Sequence, residues 1–134
     1  MLVKEITYVD FDGNTQKEKC YFNLTKTELI EMEHSLESGL AEHIKKITAE
    51  ENSKEIINLI KMFIEKSYGE RSADGKRFIK VKDGRSLGEE FVQSLAYDEL
   101  FCELASDDQK LAAFINGVVP SQEELQKFAA KNKQ

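Results

Sequence analysis

No stretch of this sequence approaches the ~18 consecutive apolar residues that a membrane-spanning helix requires. The opening Met1-Leu2-Val3-Lys4-Glu5 puts charge where the apolar centre of a secretory leader would sit. A membrane span and a secretory leader are therefore not expected. Cysteine is scarce: Cys20 and Cys102 cannot form a disulfide framework and read as reduced thiols of a cytosolic protein. Each stands in an apolar pattern, Cys20 in a strand and Cys102 in a helix, so packing is the expected role of both. The two histidines, His34 and His43, would lie about half a turn out of phase on a helix. Neither has a Cys, His or carboxylate at zinc-site spacing. Basic excess is missing too. A net charge of −6 argues against a general nucleic-acid binder, which must neutralise phosphates. Lys76, Arg77, Lys80 and Lys82 form the only dense basic cluster.

Catalytic signatures are equally scarce. Gly69 and Gly75 lie one residue too far apart for a P-loop, and Arg77 stands where that loop needs Ser or Thr. No G-x-S-x-G is present. Asp10, Asp12 and Asn14 alternate as in a calcium loop, but its glycine comes too early and Tyr21 stands where a bidentate Glu is needed. The paired carboxylates Glu50-Glu51, Glu89-Glu90, Asp107-Asp108 and Glu123-Glu124 sit mostly at helix starts or ends, and the helix dipole accounts for those at starts. No enzyme, no metal and no cofactor is expected.

What the chain does contain is globular: 134 residues, 40% apolar and 33% charged, with no internal repeat and no linker. A domain of this size buries roughly two-thirds of its unfolded surface. One domain over residues 1–134 is expected, with a β-hairpin over 1–24, a helical core over 25–118 and a C-terminal helix and tail over 119–134. The cleanest pattern begins at Ser53. Ile56, Ile57, Ile60, Phe63 and Ile64 recur at three- and four-residue spacing, which predicts an amphipathic helix at the centre of the core. Leu59 and Met62 fall outside that stripe. After the helix comes a glycine-punctuated loop, Ser67 to Phe78.

Residues 2–9 alternate, with Leu2, Lys4, Ile6 and Tyr8 on one face. Residues 18–24 have similar character, and Asp12-Gly13 between them is a favoured two-residue hairpin turn. Helix starts are marked by capping boxes at Thr25/Glu28, Ser86/Glu89, Ser106/Gln109 and Ser121/Glu124, and by Ser53. Gly39 interrupts the first helix, and Leu40, Ile44 and Ile47 continue on a second. A phase change near Tyr97 separates Leu87, Phe91 and Leu95 from Leu100, Phe101 and Leu104. Gly117 and Pro120 end the helix that carries Phe114 and Ile115. Two Asp-Gly pairs bracket Arg77–Val81, a short strand or an extended segment with Phe78 turned inward. The expected fold class is α+β, an N-terminal β-hairpin packed on a bundle of five to six mostly short helices.

Two readings stand for the C-terminal quarter. Phe114, Ile115, Val118, Val119, Leu125 and Phe128 either fold back onto the domain or form an exposed amphipathic patch that grips another helix.

Three stretches together carry a family resemblance: Cys20-Tyr21-Phe22-Asn23-Leu24-Thr25-Lys26 running on through Glu28-Leu29 and Glu31-Met32-Glu33; Ser67-Tyr68-Gly69-Glu70-Arg71-Ser72 with Asp74-Gly75-Lys76-Arg77-Phe78-Ile79-Lys80; and Ala96-Tyr97 with Leu100-Phe101 and Glu103-Leu104. Strand, capped helix, glycine loop and helix in that order resemble the tail assembly chaperones of long-tailed, siphovirus-type bacteriophages of Gram-positive hosts. The match runs from about Tyr8 to Pro120, and its distinctive part is the Y-G-x-x-S-x-D-G-x-R-F loop.

The resemblance implies a non-catalytic protein of the host cytoplasm. It would coat the tape measure protein, help recruit the major tail protein and be absent from the mature virion. Self-association stays open. Partner contacts are placed on Tyr68, Arg77 and Phe78 of the loop and on Phe114, Ile115, Val118, Leu125 and Phe128. Loop geometry is the other role of the matching positions, with Phe78 as a core plug and Arg77 as a carboxylate partner. The alternative function is a structural head–tail or tail-terminator protein retained in the virion, and a small regulatory or inhibitor protein acting on a host enzyme comes third.

Overall fold

A computed structural model describes residues 1–34 and 53–120. Strands β1 (Leu2–Val9) and β2 (Thr15–Phe22) form the expected antiparallel hairpin, in register from Leu2↔Phe22 to Val9↔Thr15. Burial along β1 follows the sequence alternation: Leu2, Lys4, Ile6 and Tyr8 turn inward while Val3, Glu5, Thr7 and Val9 are exposed. The connection is longer than a two-residue turn and spans residues 10–14. Asp10 accounts for the difference. Its carboxylate accepts the N–H groups of Asp12 and Asn14 and the side-chain amide of Gln16, which locks a wider loop, and Gly13 supplies its positive φ of 81°. The Gln16 and Asn14 hydrogen bonds hold the Asp10 carboxyl below its ordinary pKa.

Helix α1 (Lys26–His34) follows. The Thr25/Glu28 box forms in both directions: the Glu28 N–H donates to Thr25 Oγ1 and the Thr25 N–H to Glu28 Oε1. The second helix expected around Leu40, Ile44 and Ile47, like the helix after Ser121, lies outside the described residues.

Helix α2 (Ser53–Ser67) is the central element, packed on three later helices: α3 (Leu87–Phe91), α4 (Leu95–Ser106) and α5 (Asp108–Val118). Its buried stripe is rotated from the expected one. Leu59, Ile60, Phe63 and Ile64 are buried, whereas Ile57 is 48% exposed. The set 56, 59, 60, 63, 64 and 67 satisfies the 3.6-residue period as well as the set that includes Ile57 does. The choice falls to what the helix packs against, and Ser67, fully buried, hydrogen-bonds back to the Phe63 carbonyl.

The chain then enters β3 (Tyr68–Arg71) with no intervening loop, so the first third of the expected loop is strand. Strand β3 pairs with β2 (Phe22↔Tyr68, Tyr21↔Gly69) and with β4 (Phe78–Ile79), giving a four-stranded antiparallel sheet of order β1-β2-β3-β4. A second small hairpin, β5 (Val81–Lys82) and β6 (Arg85–Ser86), turns on Asp83 and Gly84, at φ 52° and 75°. Two adjacent residues at positive φ are what a two-residue hairpin turn requires.

Ser86 caps α3 by accepting the Glu89 N–H. The expected phase change is a true break and falls earlier than Tyr97. Helix α3 stops at Phe91, and Ser94 caps α4 by accepting the Tyr97 N–H. Asp107, rather than Ser106, caps α5, accepting from Gln109 and Lys110, while the Ser106 hydroxyl donates backward to the Glu103 carbonyl. Gly117 does not end α5, which runs one residue further, to Val118. A Cβ there would lie 3.1 Å from Leu2 Cδ1, so the glycine lets α5 approach β1. Cys20 is buried as expected, but Cys102 is exposed on α4.

Three outcomes test this arrangement. Phe63→Ala should cost about 3–5 kcal/mol in denaturant melts, and Ile57→Ala should stay within about 0.5 kcal/mol; equal losses would misplace the stripe. Gly88→Ala should destabilise by about 1–3 kcal/mol or more, because its Cβ would sit 2.0 Å from the Glu65 carbonyl oxygen. Burial pushes the Cys20 thiol up to about 11, so a thiol reagent at neutral pH should modify Cys102 in the native protein and Cys20 only after unfolding.

Candidate partner-binding surface

The loop and helix positions singled out in the sequence divide between core and surface. Tyr68 points inward. Its ring stacks 4.1 Å from Phe91 and meets Phe22 edge-on at 5.7 Å. Burial, more than the neighbouring anions, raises its phenol to about 12. Phe114 and Val118 are buried; Phe114 packs 5.2 Å from Phe22, and the Val118 carbonyl accepts the Leu24 N–H at 2.8 Å. Ile115 and Val119 pack on the same cluster. Over residues 114–119 the first of the two readings therefore holds: this stripe folds back and is no exposed patch. Leu125 and Phe128 lie outside the described residues. Arg77 and Phe78 stay at the surface.

The segment between β3 and β4 is held by a short-range network. Ser72 Oγ donates to Asp74 Oδ1 at 2.7 Å and accepts the Arg77 N–H at 3.0 Å, while the Lys76 N–H donates to the same Asp74 oxygen. The Ser72 N–H closes the loop on the Arg77 carbonyl at 2.9 Å, with Gly75 at φ 73°. Ser72, Asp74 and Gly75 thus serve loop geometry. The Ser72 hydroxyl first, and the Lys76 N–H second, hold the Asp74 carboxyl below its ordinary pKa.

The loop returns Phe78 to the sheet face away from the helices. Register fixes this placement, because directly paired residues share a face. Val3 faces solvent and pairs with Tyr21, Tyr21 pairs with Gly69, and Arg71 pairs with Phe78. Gly69 is the seat: a Cβ there would lie 2.6 Å from Phe78 Cε2 and 2.6 Å from the Ile79 carbonyl oxygen. Phe78 is consequently half-buried on the open face and does not plug the core. Arg77 is exposed, and among the described residues it has no carboxylate partner.

Lys19, Tyr21, Tyr68, Gly69, Glu70 and Arg71 line a shallow recess of about 340 Å³ on this side of the sheet. The recess brings together the Tyr21 ring and the cations of Lys19 and Arg71, with the anion of Glu70 beside them. Among the described residues no group of three or more His, Cys, Asp and Glu could hold a metal ion.

One residue that sequence pattern left in an undifferentiated basic cluster ties three elements together beside Phe78. Lys80 Nζ donates to Glu28 Oε2 and to the Lys66 carbonyl, each at 2.6 Å, and lies 5.6 Å from the Phe78 ring centre. It joins the start of α1, the end of α2 and β4. The surface positions Lys19, Tyr21 and Arg71 were likewise not singled out, because only strand register brings them beside Phe78.

Comparison with known proteins adds one match. The family described as phage tail assembly chaperone matches residues 1–134. No curated protein and no solved structure matches the chain.

The Asp74 network yields a pH dependence. A carboxyl with a depressed folded pKa stabilises its loop above the unfolded value and loses that contribution as pH falls through the folded value. An NMR titration should place the Asp74 midpoint below the ordinary Asp range, and Ser72→Ala should move it back up; an unmoved midpoint would remove the hydroxyl as the cause.

Proposed function

The chain belongs to the phage tail assembly chaperone family, and on that premise we propose that it binds the tape measure protein during tail morphogenesis, without catalysis. The reading extends to a siphovirus-type phage of a Gram-positive host, to action in the host cytoplasm, to help in recruiting the major tail protein, and to departure before the virion is complete. The family match over residues 1–134 is the observation that carries it.

We place the client contact on the open sheet face. The apolar stripes of α2 and α5 are used inside the core, which leaves them unavailable to a client. Phe78 and Tyr21 offer aromatic surface beside Lys19, Arg71 and Arg77, and an aromatic anchor ringed by arginine is the composition that dominates protein interfaces. A tape measure protein with long amphipathic helices presents apolar stripes flanked by charge, which such a face can cover.

Co-expression with the tape measure protein of the same phage is the test. The expected outcome is a soluble complex, weakened by about 1–2 kcal/mol each by Phe78→Asp and Arg71→Glu with the fold unchanged by circular dichroism. Unchanged client solubility and no complex would remove the chaperone reading, and stoichiometric recovery in purified particles would favour a structural protein of the virion.

A further inference from the structure

Strand β1 is an edge of the sheet, with β2 as its one pairing neighbour among the described residues. The Asp10 N–H bonds the Asn14 carbonyl across the hairpin, and the Asn23 N–H bonds Ser67 on the β3 side. By the alternation of an antiparallel ladder, even-numbered β1 residues bond to β2. The N–H and C=O groups of Val3, Glu5, Thr7 and Val9 then face the free edge.

Among the described residues this long edge carries few of the usual guards. The strand has eight residues in unbroken register, with no proline and no bulge. Its inward lysine, Lys4, is tied to Glu103 of α4 at 2.9 Å. Exposed apolar surface concentrates at the same place. Of the six exposed large apolar residues among the described ones, Met1, Val3, Val9 and Phe11 lie on β1 or next to its ends.

We propose that β1 pairs antiparallel with β1 of a second copy about a two-fold axis at Ile6, joining two sheets into one. Residue complementarity selects both the occupant and the register. With Ile6 opposite Ile6, Val3 meets Val9 of the second copy and Glu5 meets Thr7. A shift of the pairing one way sets Glu5 against Glu5, and a shift the other way sets Glu5 against Val9. Like charges directly opposite are unfavourable and apolar pairs favourable, so the Ile6-centred register is preferred. The contact is isologous and closes at two copies. It leaves the Phe78 face, three strands away, open.

Sedimentation equilibrium of the full chain at micromolar to millimolar concentration tests this. The expected mass is twice the 15.3 kDa of one chain. Val3→Lys with Val9→Lys sets lysines opposite each other and should halve that mass, whereas Val3→Lys with Val9→Glu should restore it. Circular dichroism checks the fold of each variant. If the double-lysine variant is unfolded, Thr7→Pro takes its place, removing an N–H that bonds nothing within the sheet, and should likewise halve the mass. A monomeric wild type, a doubled mass that survives the double-lysine or proline change, or a charge-swapped variant that stays monomeric would each overturn the proposal.

Discussion

Phe22 is where the sheet and the helices are joined. It is fully buried at the end of β2 and touches Tyr68 of β3, Phe91 of α3 and Phe114 of α5, at ring separations of 5.7, 5.8 and 5.2 Å. Edge-on aromatic pairs add to the area that each ring buries, and here three of them converge on one side chain. The backbone just beyond completes the joint. The Asn23 N–H satisfies the Ser67 carbonyl at the end of α2, and the Leu24 N–H satisfies the Val118 carbonyl at the end of α5. Carbonyls at helix ends need partners from outside the helix, and a two-residue stretch of chain supplies one to each.

The same sheet separates two kinds of surface. Its inner face carries Ile6, Cys20 and Phe22 into the core, and its outer face keeps Tyr21, Arg71 and Phe78 at the boundary with solvent. The loop between β3 and β4 looks, in sequence, like a glycine-punctuated surface that carries function. It is instead a braced turn, cross-tied by Ser72 and Asp74, that delivers Phe78 onto Gly69. Polar residues hold the aromatic one in place. A rigid presentation loses little side-chain freedom on binding, which suits the proposed role of covering a client.

What could be read from sequence was what the chain decides locally. The alternation of β1 and the Thr25/Glu28 and Ser86/Glu89 caps depend on neighbours within a few residues, and each is found where its pattern lies. The misses have the opposite character. Helical period alone could not choose between Ile57 and Leu59, because both sets fit one face and the packing partners decide. Gly117 looked like a terminator, since its real role, closeness to Leu2, spans nearly the whole chain. Ser106 gave way to Asp107 because a carboxylate one residue later could accept two N–H groups at once. Phe78 was read both as a core plug and as a partner contact, because nothing local shows that β3 will pair and turn it outward.

The β2–β3 pairing bears on how the molecule is made. The β1–β2 hairpin is local and its residues leave the ribosome before the elements it packs on: its third strand waits behind α2, and Phe91 and Phe114 come later still. A two-stranded hairpin alone is marginal in water, and closing a long loop costs chain entropy before any contact offsets it. Until α5 is synthesised, Phe22 has no Phe114 to pack on. The nascent chain therefore carries a greasy hairpin exposed until α5 emerges, and a product truncated before α5 would leave it so.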